Sequence, residues 1–234
     1  ARNLDRSKMK WFGIKDAWII ELFLPLAKSF PDAKFIVLLR DPRASISSNR
    51  RSSESSQLAH SISFARSWRR HLAFAIHYMN HPLMKDRLFF MTFEQFVGDV
   101  EKKARELCDF LEIKYDEKML NTDNYFDYET GKTWKGNSSY EPVVKGISSH
   151  RVDRWRQYLS PEAIKAIELI CDPDMKLLGY DPISSTKEDW LDPEILEFMI
   201  QESEVSTKWN SEFGRLEMDY GFELFRKVMA ASPR

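Results

Sequence analysis

Arg40, Arg43, Ser45, Ser47, Ser48 and Arg50 crowd into one short stretch, RDPRASISSNR, directly after the apolar run KFIVLL. Guanidinium groups offer a fixed fork of donors and serine hydroxyls a rotatable donor and acceptor, which together are the chemistry of anion recognition. Ser45, Ser48 and Ser52 fall at i, i+3 and i+7 and would share one face of a helix. From Pro42 to Ser48 such a helix rises only ~9 Å, at about 1.5 Å per residue. A long arginine at position 40 and the hydroxyl of Ser48 could therefore meet on one phosphate. The plainer alternative is a solvated, basic helix start capped by Asp41.

Those residues need a strand and a helix to hold them. Phe35–Leu39, β-branched and large, reads as a strand buried on both faces. Asp41 is placed to cap the next helix, and Pro42 fits its first position. Upstream, residues 17–29 (AWIIELFLPLAKS) read as a helix despite Pro25, with FPDAKF as the turn into the strand. Downstream, Ser61–Met79 is a long amphipathic helix, RLFFMTFEQF (87–96) a second strand candidate, and DVEKKARELCDFLEI the helix after it. This alternation predicts a parallel α/β sheet, whose ligands sit at the carboxyl ends of strands and near helix N-termini. Asn121 to Ser149 is polar, aromatic and glycine-bearing, the composition of a long functional loop. Ser160-Pro161-Glu162 opens a further helix that stops at LLGYDP. The segment from Trp190 to Met229 reads as helical and charged, an addition to the main domain.

Composition narrows the function classes. The chain has 234 residues, 43% hydrophobic and 13% aromatic, enough for a folded core. With 35 basic and 36 acidic residues the net charge is −1, so no bulk grip on nucleic acid or on an anionic membrane is expected. RSWRRH (66–71) is then one exposed helix face. No run of 18 apolar residues exists to span a bilayer. The opening ARNLDRSKMKW is not a signal peptide and lacks an initiator Met, so a fragment is possible. Cys108 and Cys171, each among apolar neighbours, read as reduced core thiols, which fits a cytoplasmic protein. His77 and His81 have the spacing of a helical metal pair, but Pro82 follows and no third ligand is evident; no metal is expected. His60, His71 and His150 show no partner in sequence.

Arg40 with Ser48 eight residues on, after FPDAKFIVLL and within RDPRAS, resembles the 3′-phosphate-binding motif of sulfotransferases that use 3′-phosphoadenosine 5′-phosphosulfate (PAPS). Three further stretches match in the family's order. IKDAW is similar to its "NKDP" or "EKTP" element, MTFEQFVGDVEKKARELCDFLEI to its "YEDLV…FLGI" segment, and RWRQYLSPEAIKAIELICDPDMKLLGYDP to its closing helix. The resemblance covers residues 10–183. It implies a three-layer α/β/α fold with a parallel sheet, of the P-loop-NTPase-like sulfotransferase type, over residues 1–183, with a helical C-terminal extension over 184–234. It implies PAPS as sulfuryl donor, no metal, and a hydroxyl acceptor on a small molecule, a carbohydrate or a peptide tyrosine. Arg40 and Ser48 would hold the 3′-phosphate, and Lys15 would meet the bridging oxygen of the departing phosphate, where an ammonium offsets developing charge. TWKGNSSY resembles the family's lysine-glycine loop, so Lys135 and Gly136 would close on the cofactor; the other reading is a polar turn. Ser148 and Ser149 lie near a serine that touches the transferring group in tyrosylprotein enzymes, and Ser149 is carried over as cofactor-binding.

Two departures qualify this. The family's 5′-phosphosulfate loop, a strand followed by something like P-R-S-G-T-T, is not found before Lys15, and the chain is expected to lack it. The general base is also unplaced: where cytosolic enzymes carry a histidine, this chain has Ala17, and Asp16 reads as a helix cap. ETGKTW mimics the tail of a nucleotide-binding P-loop, but the first glycine of that motif would fall on Phe126. The rival readings are a non-catalytic relative that binds the nucleotide, a P-loop kinase and a nucleic-acid binder. The tail is open to two roles, a lid or a homo-oligomer contact.

Overall fold

The computed structural model describes residues 10–16, 18–52, 61–125, 132, 147–183 and 193–194. Two parallel strands, β1 (Phe35–Leu39) and β2 (Leu88–Thr92), pair in register from Phe35 against Leu88 to Leu39 against Thr92. Among the described residues the crossover between them is mostly helical. It contains α2 (Pro42–Ser52) and α3 (Ser61–Met79), then a 3₁₀ turn at Pro82–Met84. Before β1 lie a 3₁₀ turn at Ile19–Leu22 and α1 (Phe23–Ser29). Pro25 is the third residue of α1, inside the first turn, where its missing N–H breaks no helical bond.

Phe35, Val37 and Leu39 turn one strand face into the main core. There α3 contributes Ala65, Trp68, Leu72, Ala75 and Tyr78, at spacings of three and four that make one buried stripe. Against that stripe packs α6 (Pro161–Cys171), through Ala163, Ile167 and Cys171, all fully buried. Alanines on both helices let the backbones approach, and the Cys171 thiol reaches the Ala65 carbonyl at 3.8 Å. Cys171 and Cys108 are both free and buried, as expected; burial pushes the Cys171 thiol up to about 12. The other sheet face meets α5 (Val100–Phe110) through Phe89 and Phe110, 5.3 Å apart. Helices thus flank the sheet on both faces, the expected layering.

Two expectations about the strands change. The segment 87–96 is not one strand: β2 ends at Thr92, which caps α4 (Phe93–Gly98). Its hydroxyl accepts from the Gln95 amide at 3.2 Å and the Gln95 side chain accepts from the Thr92 amide at 3.0 Å. This reciprocal capping box overrides the β-propensity of the phenylalanines around it. Nor is β1 buried on both faces among the described residues, since Ile36 and Leu38 are 40% and 50% exposed.

The approach to the site is a tethered strap. Trp11 donates its indole N–H to the Leu111 carbonyl at 2.7 Å, and the Lys10 ammonium donates to the Glu112 carbonyl. Lys34 donates to the Phe110 carbonyl and pairs with the Glu112 carboxylate at 2.8 Å. Cations and an indole thus satisfy the orphaned carbonyls at the end of α5, where the helix dipole is negative. At the strap's far end the Asp16 carboxylate accepts from the Trp18 amide at 2.7 Å, a local turn and not the helix cap expected, since Trp18 itself stands at the N-cap of the Ile19–Leu22 turn.

His71 lies on α3 beside Trp18, ring centroids 5.4 Å apart, and its Nε2 is buried with no hydrogen-bond partner among the described residues. Burial, helped by the neighbouring Arg70 charge, lowers it from 6.5 to about 4. The unfolded chain therefore takes up this proton first, and stability is lost as pH falls through that window. The expected loss is about 2 kcal/mol between neutral pH and pH ~4. His71→Phe should flatten that part of the profile in urea unfolding followed across pH; an unchanged slope would rule out His71 as the source.

Candidate functional site

At the end of β1 the chain places two arginines three residues apart in opposite settings. Arg43 is 4% exposed. Its guanidinium pairs with Asp41 through Nη2 at 2.7 Å and with Glu168 on α6 through Nη1 at 2.6 Å. It also donates to the Asp181 carbonyl at 3.2 Å and lies 4.3 Å from the centre of the Trp155 ring. Burial alone would lower its pKa, but the hydrogen bonds and charges of Asp41 and Glu168 more than offset this and raise it. Arg43 is therefore a structural cation with both carboxylates already assigned.

The same carboxylate occupies the start of α2. Asp41 Oδ1 accepts from the Arg43 amide at 2.8 Å, and the Asp41 carbonyl accepts from the Ser45 amide at 2.9 Å. Two amides of the first turn, those of Arg43 and Ser45, are thus already taken by Asp41. Ser47 is also buried, at 1% exposure. Ser45 and Ser48 are only partly buried, and Ser48 lies on α2 two turns beyond the strand end.

Arg40 is the cation that remains half-buried at the strand end. Its guanidinium lies 4.5 Å from the centre of the Phe93 ring and donates to the Arg151 carbonyl. The peptide that follows it is held at both ends: Trp68 Nε1 donates to the Arg40 carbonyl at 2.8 Å, and Glu94 Oε1 accepts from the Asp41 amide at 3.2 Å. Through Arg151 the site gains the 3₁₀ turn Ser149–Arg151, so Ser149 stands in the turn that Arg40 holds. Ser149 itself is exposed. Lys15 is exposed on the strap, one residue before the Asp16 turn. Lys135 and Gly136 lie outside the described residues, as does the extension 184–234 apart from residues 193–194.

Sequence reasoning did not find Glu94, Trp68, Phe93 or Glu168. Their only sequence signal was Glu94 and Phe93 standing directly after a strand end; the partnerships span long separations. Among the described residues, no cluster of His, Cys, Asp and Glu has the arrangement of a metal site. His77 is exposed and His81 spends Nδ1 on the Leu83 amide at 3.2 Å. Arg66, Arg69 and Arg70 are exposed on α3, with Arg69 paired to Asp174 at 2.5 Å and Arg70 to Glu21 at 3.1 Å.

Comparison with known proteins agrees with this architecture. A family model described as "Sulfotransferase family" matches residues 3–117, which contain the strap, β1, Arg40, Ser48 and β2. A protein-tyrosine sulfotransferase of Drosophila melanogaster is 24% identical over 175 residues, covering 73% of this chain and 35% of that protein. Protein-tyrosine sulfotransferase 1 of Danio rerio is 27% identical over 172 residues, covering 72% of this chain and 48% of its own length. Carbohydrate sulfotransferase 3 of Tetronarce californica is 28% identical over 99 residues, 42% of this chain and 21% of that protein. The chain thus spans half or less of each of these relatives. Over residues 3–117 the chain is similar to the sulfotransferase family.

Removing one carboxylate should expose how much the Arg43 cluster supports the site. Glu168→Ala leaves a buried guanidinium short of a partner and strips the acceptor that Ile183 N–H uses at 3.1 Å. The expected cost is about 3 kcal/mol in chemical denaturation. Glu168→Gln, which keeps an acceptor oxygen, should cost clearly less; equal costs would contradict a charge-pairing role.

Proposed function

We propose that the protein transfers a sulfuryl group from PAPS to a hydroxyl acceptor, and that the end of β1 holds the nucleotide's 3′-phosphate. The observation that carries this is Arg40: a strand-end guanidinium oriented by Phe93, with Ser48 following on α2. Its neighbours suit an anion because the nearby acidic groups are already paired, Asp41 with Arg43 and Glu94 with Tyr180 and the Asp41 amide. A planar guanidinium offers two parallel donors to a phosphate, and a serine hydroxyl adds a third.

When bound, PAPS supplies the activated sulfate and a phosphate leaving group. Lys15 is assigned to the oxygen that gathers negative charge as the sulfuryl group departs, a task for a fixed cation. Ser149 is assigned to the cofactor because its turn is tied to Arg40 through the Arg151 carbonyl. Lys135 and Gly136 are assigned to closure over the nucleotide on the family resemblance alone. The acceptor is a hydroxyl of a small molecule, a carbohydrate or a tyrosine, in keeping with relatives named for protein tyrosine and carbohydrate.

Titration with adenosine 3′,5′-bisphosphate and adenosine 5′-monophosphate tests the assignment. The bisphosphate should bind at least about tenfold tighter, and Arg40→Ala should erase most of that preference. Equal affinities in the native protein would remove the reading. In a sulfate-transfer assay on the full gene product, Lys15→Ala should lower kcat about a hundredfold with little change in nucleotide affinity. Nucleotide discrimination without any transfer would favour the non-catalytic relative.

A further inference from the structure

We propose that Glu94 is a positioning residue: it sets 3′-phosphate recognition by clamping the peptide plane between Arg40 and Asp41, without itself touching the nucleotide. This rests on the reading of Arg40 given above. The amide of Asp41 and the carbonyl of Arg40 belong to one planar group. Glu94 on α4 takes the amide at 3.2 Å and Trp68 on α3 takes the carbonyl at 2.8 Å. Two elements from opposite sides of the chain thus grip the two edges of one peptide and fix the backbone rotation of Arg40. A guanidinium sits at the end of a long side chain, so a small rotation at that peptide moves its donors by an ångström or more. Phosphate recognition by a fork of donors does not tolerate such a shift.

Glu94 is itself held. Its second oxygen accepts from the Tyr180 hydroxyl at 2.5 Å, and Tyr180 is 9% exposed. Burial and the adjacent carboxylate raise the Tyr180 phenol well above its ordinary value, so it remains a donor at every physiological pH. Gly179, at φ +79°, makes the left-handed turn after α7 (Asp174–Leu177) that returns the chain to bring Tyr180 in. The preceding residue, Phe93, holds the guanidinium from below at 4.5 Å. One end of α4 therefore fixes both the root and the tip of Arg40.

The experiment measures both nucleotide affinities by calorimetry in native protein, Glu94→Ala, Glu94→Gln, Tyr180→Phe, Arg40→Ala and the Glu94→Ala/Arg40→Ala pair. Glu94→Ala should cut the preference for the 3′-phosphate about tenfold while the monophosphate affinity stays within about twofold. Glu94→Gln, which keeps an acceptor for the Asp41 amide, should restore most of it, and Tyr180→Phe should lose about threefold. In the Arg40→Ala background, Glu94→Ala should change nothing further. The proposal is overturned if Glu94→Ala weakens both nucleotides alike, keeps the native preference, or adds its full effect to Arg40→Ala. Should Glu94→Ala fail to fold, a native preference in Tyr180→Phe overturns it equally. Absence of any preference in the native protein would instead sink the assignment of Arg40 and leave nothing for Glu94 to position.

Discussion

A single buried guanidinium sets the terms for the rest of this molecule. Arg43 has lost nearly all contact with water, and a buried charge is tolerable only when opposite charges and hydrogen bonds surround it. Satisfying it requires Asp41 from the strand end, Glu168 from α6, the Asp181 carbonyl from the chain beyond α7 and the face of Trp155. Four parts of the sequence must therefore converge for the first turn of α2 to form where it does. Apolar packing between α3 and α6 supplies the stability, but it is not directional. The ion cluster is, and it fixes the start of α2 against those helices.

The same cluster decides what the strand end can do. With Asp41 spent on Arg43 and on two α2 amides, neither its negative charge nor those amides are available to a ligand. Arg40, one residue earlier, points its guanidinium to Phe93 and the 149–151 turn. A pair of arginines three apart is thus divided between holding the fold and, in the proposed reading, meeting an anion. That division suits transfer chemistry, in which the protein contributes mainly position and electrostatic complementarity.

Local signals were legible in the sequence where the physics is local. The Asp41-Pro42 start of α2, the Ser160-Pro161 start of α6 and the long stripe of α3 each depend on residues within a few positions. The parallel pairing of β1 with β2 followed from their alternation with helices. The end of β2 was misplaced because Thr92 and Gln95 form a capping box inside a run that otherwise favours a strand. Arg40 and Ser48 stood out by spacing and resemblance. Yet nothing in RDPRAS separates Arg40, left half-buried, from Arg43, the buried support. That distinction resides in Glu168 and Asp181, more than a hundred positions away, and no pattern of nearby residues encodes it.

Rigidity at the site also has an identifiable source. A surface arginine at the end of an unsupported strand would sample many rotamers, and ordering it on a ligand would cost binding free energy of up to about 2 kcal/mol. Here the cost is met during folding. Trp68 is tied to the core stripe of α3, Glu94 to a capped helix and to Tyr180, and Phe93 to the first turn of that helix. Lys15 has a different kind of support, an extended strap fastened at Trp11 and turned at Asp16. A strand-end cation held by three packed side chains and a second cation on a tethered strap make unequal demands. In the proposed reading the first discriminates between nucleotides, a task that requires a fixed geometry. The second, in the proposed reading, faces charge that develops at one atom, and the tether limits how far its ammonium can stray.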